Sequence, residues 1–214
     1  MSAELGADIV SKGGAPEPDD TTHFVVLDKD GMAVSNTYTL EGGYGSHVVI
    51  AGTGVLLNNE MGDFNKKPGT TDLTGNIGTP ANIIAPGKRM LSSMSPVIVT
   101  KNGKLALITG SPGGRTIINT VLDVVLNVMA YGMTGRDAVD APRMHHQWLP
   151  DSTTIEANGA SDLVLAALKA MGHNITARGT QGSAQTIWIQ PETGFAFGVA
   201  DHRDQTAKAS KPGS

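Results

Sequence analysis

Cysteine is absent from the 214 residues. That excludes disulfides, thiolate metal sites and a cysteine nucleophile; it is compatible with export without demonstrating it. Aromatic residues are scarce, at 4%. No apolar run reaches the length needed to cross a bilayer. Residues 1–20 lack the basic start and apolar core of a signal peptide. Positive charge is not in excess: 16 Lys and Arg against 20 Asp and Glu leave a net charge of −4, which argues against a nucleic-acid partner. What is abundant is glycine, 27 residues in all, a composition suited to tight turns and to close backbone approaches around a main-chain-lined site. The length suits one domain, or one part of a larger one.

Residues 1–20 divide into a helix-like piece, Ala3 to Ser11, and an exposed Gly/Pro/Asp linker, Gly13-Gly14-Ala15-Pro16-Glu17-Pro18-Asp19-Asp20. From residue 21 the texture is β. His23–Leu27 and Ala33–Leu40 read as strands joined by the turn Asp28-Lys29-Asp30-Gly31, and Val48–Asn58 continues as an apolar run. Val97–Thr100 and Leu105–Thr109 flank an Asn102-Gly103 turn, the signature of a tight hairpin. Thr116–Tyr131 carries apolar residues at helical spacing and stops at Gly132. Gly135–Ala141 and Ser161–Met171 predict two shorter helices, the second capped by Ser161. Thr153–Glu156, Ile175–Ala177, Ala184–Ile189 and Phe195–Ala200 predict strands. The polar tail from Thr206 reads as disordered. Strands, then helices, then strands indicate a layered α+β domain over 21–205, preceded by a linker segment at 1–20 and followed by a flexible tail at 206–214.

The most informative residue is Thr21, which opens Thr21-Thr22-His23-Phe24-Val25-Val26-Leu27-Asp28 directly after the linker. A threonine freed as an N-terminus becomes a nucleophile, because its α-amine can take the hydroxyl proton. Taken alone, a Thr-Thr pair in a strand reflects β-propensity more often than chemistry. Five further motifs follow in order: Thr37-Tyr38-Thr39-Leu40, Asn58-Asn59-Glu60-Met61-Gly62-Asp63-Phe64, Leu91-Ser92-Ser93-Met94-Ser95-Pro96, Gly110-Ser111-Pro112-Gly113-Gly114 and Arg143-Met144-His145-His146-Gln147-Trp148. With Thr21, this ordered set resembles the catalytic small subunit of the γ-glutamyltranspeptidase (glutathione hydrolase) family of N-terminal-nucleophile hydrolases. The resemblance runs from about Thr21 to Arg203, with residues 1–20 standing where the end of the large subunit would be.

The resemblance implies an αββα sandwich whose other half comes from a large subunit, and a zymogen that cleaves itself before Thr21. It implies that Thr21 attacks the γ-glutamyl carbonyl of glutathione and related amides, that amino-acid or peptide acceptors compete with water for the acyl group, and that no cofactor is needed. Thr39 would orient the nucleophile, and Thr37 would assist processing. Gly113 and Gly114 would form the oxyanion hole, since two preorganised N–H groups stabilise the charge that acyl transfer develops. The competing phosphate-cradle reading is weak because the Gly-Lys-Ser/Thr ending of a P-loop is missing. Glu41, Glu60 and Asp63 would accept hydrogen bonds from the donor ammonium. Ser92 and Ser93 would donate to its α-carboxylate alongside a large-subunit arginine, whose place neither Arg89 nor Arg115 takes. Gly62 departs from the pattern, as many relatives carry a second Asp there. Gly182-Ser183-Ala184-Gln185 resembles a further loop beside the site. His145-His146 invites a metal reading, but adjacent residues point differently and no spaced His or Cys partner accompanies them. A periplasmic or extracellular setting is what the family implies. Two alternatives stand beside the main reading: a related glutaryl or cephalosporin-type acylase, and an inactive fragment without its large subunit.

Overall fold

The computed structural model describes residues 21–65 and 67–211. The expected helix-like piece at 3–11 and the linker at 13–20 lie outside the described residues. Among the described residues, nine strands and three α-helices follow one another as β1 (Thr21–Leu27), β2 (Ala33–Thr39), β3 (Val97–Lys101), β4 (Lys104–Gly110), α1 (Ile117–Met129), α2 (Gly135–Asp140), β5 (Met144–His145), β6 (Thr153–Glu156), α3 (Asp162–Ala170), β7 (Ile175–Arg178), β8 (Gln185–Ile189) and β9 (Ala196–Val199).

Three sheets form, ordered β1-β2, β3-β4-β8-β9 and β5-β6-β7. The central sheet is antiparallel throughout. Its β3–β4 hairpin turns at Asn102 and Gly103, both at positive φ, as a two-residue hairpin requires. β6 and β7 pair in parallel, with α3 as the crossover. Ser161 Oγ accepts from the Val164 N–H and caps α3. Thr134 does the same for α2 through Asp137.

Burial along β4 reveals the layering. Its last four residues, Leu107–Gly110, are all buried, although successive side chains of a strand point to opposite faces. Both faces of the central sheet are therefore covered there. On one side α1 and α2 contribute Val124 and Val139 to an apolar cluster with Ala184 and Val199. The β1–β2 ribbon packs against β4 and β8. Within the ribbon, odd-numbered residues of β1 face inward and even-numbered ones face out. Phe24, Val26, Val34 and Tyr38 remain exposed on its outer face, with Phe24 and Tyr38 meeting edge to face at 6.5 Å.

The apolar run at 48–58 departs from strand-like burial. It makes only one bridge, Val49 to Leu56, and Val48, Val49, Ile50, Val55 and Leu57 stay exposed. Residues 206–211 form no helix or strand, and Thr206 closes a turn on the Asp204 carboxylate.

Candidate active site

The ribbon register places Thr21 directly opposite Thr39. The Thr21 hydroxyl donates to Thr39 Oγ1 at 3.1 Å, and the Glu41 N–H donates to that same oxygen at 2.8 Å. Thr39 is thus tied to the main chain and in turn fixes the Thr21 hydroxyl. Two residues along, buried His23 faces Thr37, and their Nδ1 and Oγ1 lie 2.7 Å apart. Thr37, expected as an assistant in processing, has its hydroxyl on this ring. Burial pushes the His23 imidazole down to about 4, so it is neutral near neutral pH. The ring lies so close against Gly110 that any Cβ there would collide with it. His23 therefore clamps the start of β1 to the end of β4, from which the Ser111-Pro112-Gly113-Gly114 loop departs. Ser35 adds a second tie through its hydroxyl to the Thr109 carbonyl, at 2.9 Å.

Gly113 and Gly114 have φ of 135° and 53°, and they lead through a 3-10 turn into α1. Glycine is required at 113 for space as well: a Cβ would lie 2.8 Å from Thr116 Oγ1 and 3.2 Å from Gly182 Cα. Gly182 is equally confined, by Ser111 Oγ and Thr120 Oγ1 at 2.7 and 2.8 Å. The 181–184 loop is thus seated against Gly113. The first amides of a helical segment lack intrahelical acceptors, which makes this loop a source of donors for developing negative charge.

Glu41, Glu60 and Asp63 come together. β2 ends at Thr39, and the chain turns at Glu41 with φ of 72°. The segments 40–42 and 58–60 are joined through Asn59, whose N–H donates to the Leu40 carbonyl at 3.0 Å and whose Oδ1 accepts from the Gly42 N–H at 2.9 Å. A 3-10 turn over Glu60–Asp63 then presents both of its carboxylates. Glu60 is pushed up to about 7, first by burial and then by the charges of Asp63 and Glu41. Its Oε1 is buried with no hydrogen-bond partner among the described residues, a costly arrangement that a donor would relieve. Ser93 Oγ donates to Asp63 Oδ2 at 3.3 Å and joins the serine pair to this cluster. Ser92 is exposed, and its Oγ accepts from the Met94 N–H at 3.3 Å. Arg89 is exposed, and Arg115 reaches the Gly75 carbonyl at 3.4 Å.

The adjacent histidines do diverge. His145 is buried between Asn119 and Gln147, at 2.6 and 2.8 Å, whereas His146 turns outward to Asp151. Among the described residues no group of three or more His, Asp or Glu side chains could hold a metal ion.

A network that the motifs did not single out supports the 181–184 loop. Fully buried Arg143 donates to Asp201 Oδ2 and to the Gln181 carbonyl, each at 2.6 Å. Arg203 grips Glu156 with two hydrogen bonds, at 2.9 and 2.5 Å, and Asp201 Oδ1 at 3.2 Å. Glu156 accepts from the Gln181 N–H, and Asp201 from that of Ala184. Burial works to raise the Asp201 carboxyl, but the Arg143 guanidinium overrides it and holds it below the usual range. The available signal was Arg143 at the head of the Arg143–Trp148 motif, since an arginine that becomes buried must be paired.

The family model for gamma-glutamyltranspeptidase matches residues 4–210. The chain belongs to the γ-glutamyltranspeptidase family. The glutathione hydrolase proenzyme of Escherichia coli K12 is 48% identical over 187 residues, covering 87% of this chain and 32% of that protein. The proenzyme of the same name from Pseudomonas sp. strain A14 is 51% identical over 163 residues, covering 75% of this chain and 28% of that protein. The chain therefore spans about a third of the length of these relatives. A chain of a Helicobacter pylori γ-glutamyltranspeptidase mutant superposes with a TM-score of 0.78 at 48% identity, covering 86% of this chain and 100% of that one. Cephalosporin acylase from Bacillus halodurans follows the same fold at 25% identity and a TM-score of 0.74, covering 98% of this chain and 39% of that one. The architecture is that of the small-subunit half of an N-terminal-nucleophile hydrolase.

Proposed function

We propose that this chain is the nucleophile-bearing part of a γ-glutamyl hydrolase and transferase. The observation that carries the reading is the 3.1 Å hydrogen bond between Thr21 and Thr39 at the head of β1, where a chain cut would leave the hydroxyl already oriented. Cleavage of the Asp20–Thr21 bond frees the Thr21 α-amine, which takes the hydroxyl proton. Oγ1 then attacks the γ-amide carbonyl of glutathione or a related donor. The Gly113 and Gly114 amides receive the oxyanion. The carbon–nitrogen bond breaks, the leaving amine takes up the proton, and a γ-glutamyl ester remains on Thr21. Water, or the amine of an amino acid or peptide, resolves that ester. Glu41, Glu60 and Asp63 accept from the donor ammonium, and Ser92 and Ser93 donate to its α-carboxylate with an arginine from the large subunit.

The experiment that tests this compares γ-glutamyl anilide with glutaryl anilide, which lacks the ammonium. Asp63→Ala raises KM for the γ-glutamyl donor by about tenfold or more, since a hydrogen bond to a charged group contributes roughly 1.5–3 kcal/mol. The glutaryl donor is nearly indifferent. Equal losses on both donors would favour the second reading, an acylase for glutaryl or cephalosporin-type side chains, which the likeness to the Bacillus halodurans enzyme supports.

Glu60 gives the reading a pH signature. Its carboxyl ionises at about 7, so a third negative charge joins the cluster as pH rises through that value. An ammonium binds the ionised form more tightly, and kcat/KM for the γ-glutamyl donor rises across this range. The rise disappears in Glu60→Gln, measured as a pH–rate profile.

A large-subunit segment of the family would cover the outer ribbon face formed by Phe24, Val26, Val34 and Tyr38. Residues 1–214 expressed by themselves are accordingly expected to self-associate and to turn over little γ-glutamyl anilide. Co-expression with that segment yields an active, defined assembly, as read by light scattering and activity together.

A further inference from the structure

We infer that Gly62 is a positioning residue: its bare Cα seats the Glu41 carboxylate, and the pair at 41 and 62 sets the affinity for a donor ammonium. The inference rests on the γ-glutamyl reading above and extends it to a residue with no functional group. Gly62 is the third residue of the 3-10 turn that carries Glu60 and Asp63, and its N–H donates to the Asn59 carbonyl at 2.9 Å. Its φ lies outside the left-handed region, so the backbone there does not require glycine. What glycine supplies there is room for the Glu41 carboxyl. A Cβ at 62 would stand 2.6 Å from Glu41 Cδ and nearer still to Glu41 Oε1, and its three nearest atoms all belong to the Glu41 carboxyl group.

Glu41 is held there from the other side as well. Its backbone adopts φ of 72°, a conformation disfavoured for a residue with a side chain. Its N–H is pinned to Thr39 Oγ1, the oxygen that also accepts from Thr21. The unusual turn at 41 and the missing side chain at 62 thus serve one end, bringing the Glu41 carboxylate over the turn that presents Glu60 and Asp63. The Glu41 charge contributes to the raised Glu60 carboxyl, which places the two within electrostatic reach.

The obstructed atoms are the tip of a flexible side chain. An alanine at 62 can therefore be accommodated by swinging the Glu41 carboxyl away, with the fold intact and one acceptor displaced. The predicted partners of this triad are acyl donors with an α-amino group. Acyl groups without one do not sense the change.

The test is a double-mutant cycle in the assembled enzyme with Gly62→Ala, Glu41→Asn and the double variant, assayed on γ-glutamyl and glutaryl anilides. Gly62→Ala raises KM for the γ-glutamyl donor about tenfold and leaves kcat and the melting temperature close to those of the parent. In the Glu41→Asn background, whose shorter side chain does not reach as far, adding Gly62→Ala changes KM by less than about twofold. Three results would each overturn the inference: an unchanged KM in Gly62→Ala, the same rise with or without Glu41, or a matching loss on the glutaryl donor. A parent assembly that does not turn over the γ-glutamyl donor at all would instead overturn the functional reading on which this one rests.

Discussion

Thr21→Ala abolishes both chain cleavage and turnover. In the proposed mechanism one hydroxyl serves both steps, so a single methyl-bearing replacement removes the attacking atom from each. A fall of at least about 10⁴ in kcat is expected, the scale on which enzymes respond to loss of a nucleophile. The fold should barely notice. Thr21 is half-buried, and the substitution breaks its side-chain hydrogen bond to Thr39, worth about 1 kcal/mol. Thr21→Ser keeps the hydroxyl and the bond to Thr39 and gives up only the methyl group that stiffens χ1. It should process and turn over more slowly without being dead. Circular-dichroism melting beside the activity assay separates chemistry from unfolding. A Thr21→Ala protein that melts like the parent and still turns over donor would be incompatible with the proposed role.

Arg143→Met should be the most damaging substitution for stability. Arg143 and Asp201 are both essentially inaccessible to solvent, and removing one partner leaves a buried charge with less compensation. Losses of about 3–5 kcal/mol are typical of such a break. Arg136→Ala, at an exposed pair with Asp140, provides the control and should cost less than about 1 kcal/mol. Denaturant titration gives both values. The Arg143 change should also lower kcat in whatever fraction remains folded, because Arg143 holds the Gln181 carbonyl and the 181–184 loop lies against Gly113. The network also fixes the direction of the pH dependence. Asp201 and Glu156 are held below their ordinary values in the folded state. Their contribution is present above the unfolded carboxylate range, about pH 4, and is lost as pH falls through the lower folded values. Arg143→Met should flatten this acid limb.

Much of the fold was legible because local chemistry and tertiary context agree. The Asn102-Gly103 turn, the Ser161 cap and the apolar spacing of α1 each specify their element within a few residues. The run at 48–58 shows where that logic stops. It reads as an apolar run, yet cover for its apolar side chains is not supplied by the described residues. Among the site residues, Thr39 was placed beside Thr21 by the family resemblance, and the register that sets them opposite each other comes from the structure. Glu41, Glu60 and Asp63 were recognisable by type, but the seat that Gly62 offers Glu41 was not. It depends on where a side chain lands after a positive-φ turn, and no spacing rule encodes that. The Arg143–Asp201–Arg203–Glu156 network could not be assembled from the sequence for a related reason. Its members are far apart in the chain and meet only once β6 and β9 are in place.

The central claim is that Thr21 is a processed N-terminal nucleophile, and acid-quenched mass spectrometry of the assembled enzyme during turnover of a γ-glutamyl donor tests it most directly. The expected result is a chain that begins Thr-Thr-His-Phe and a γ-glutamyl adduct on the peptide that contains Thr21. An active enzyme with the Asp20–Thr21 bond intact, or with the adduct on any other residue, would contradict it.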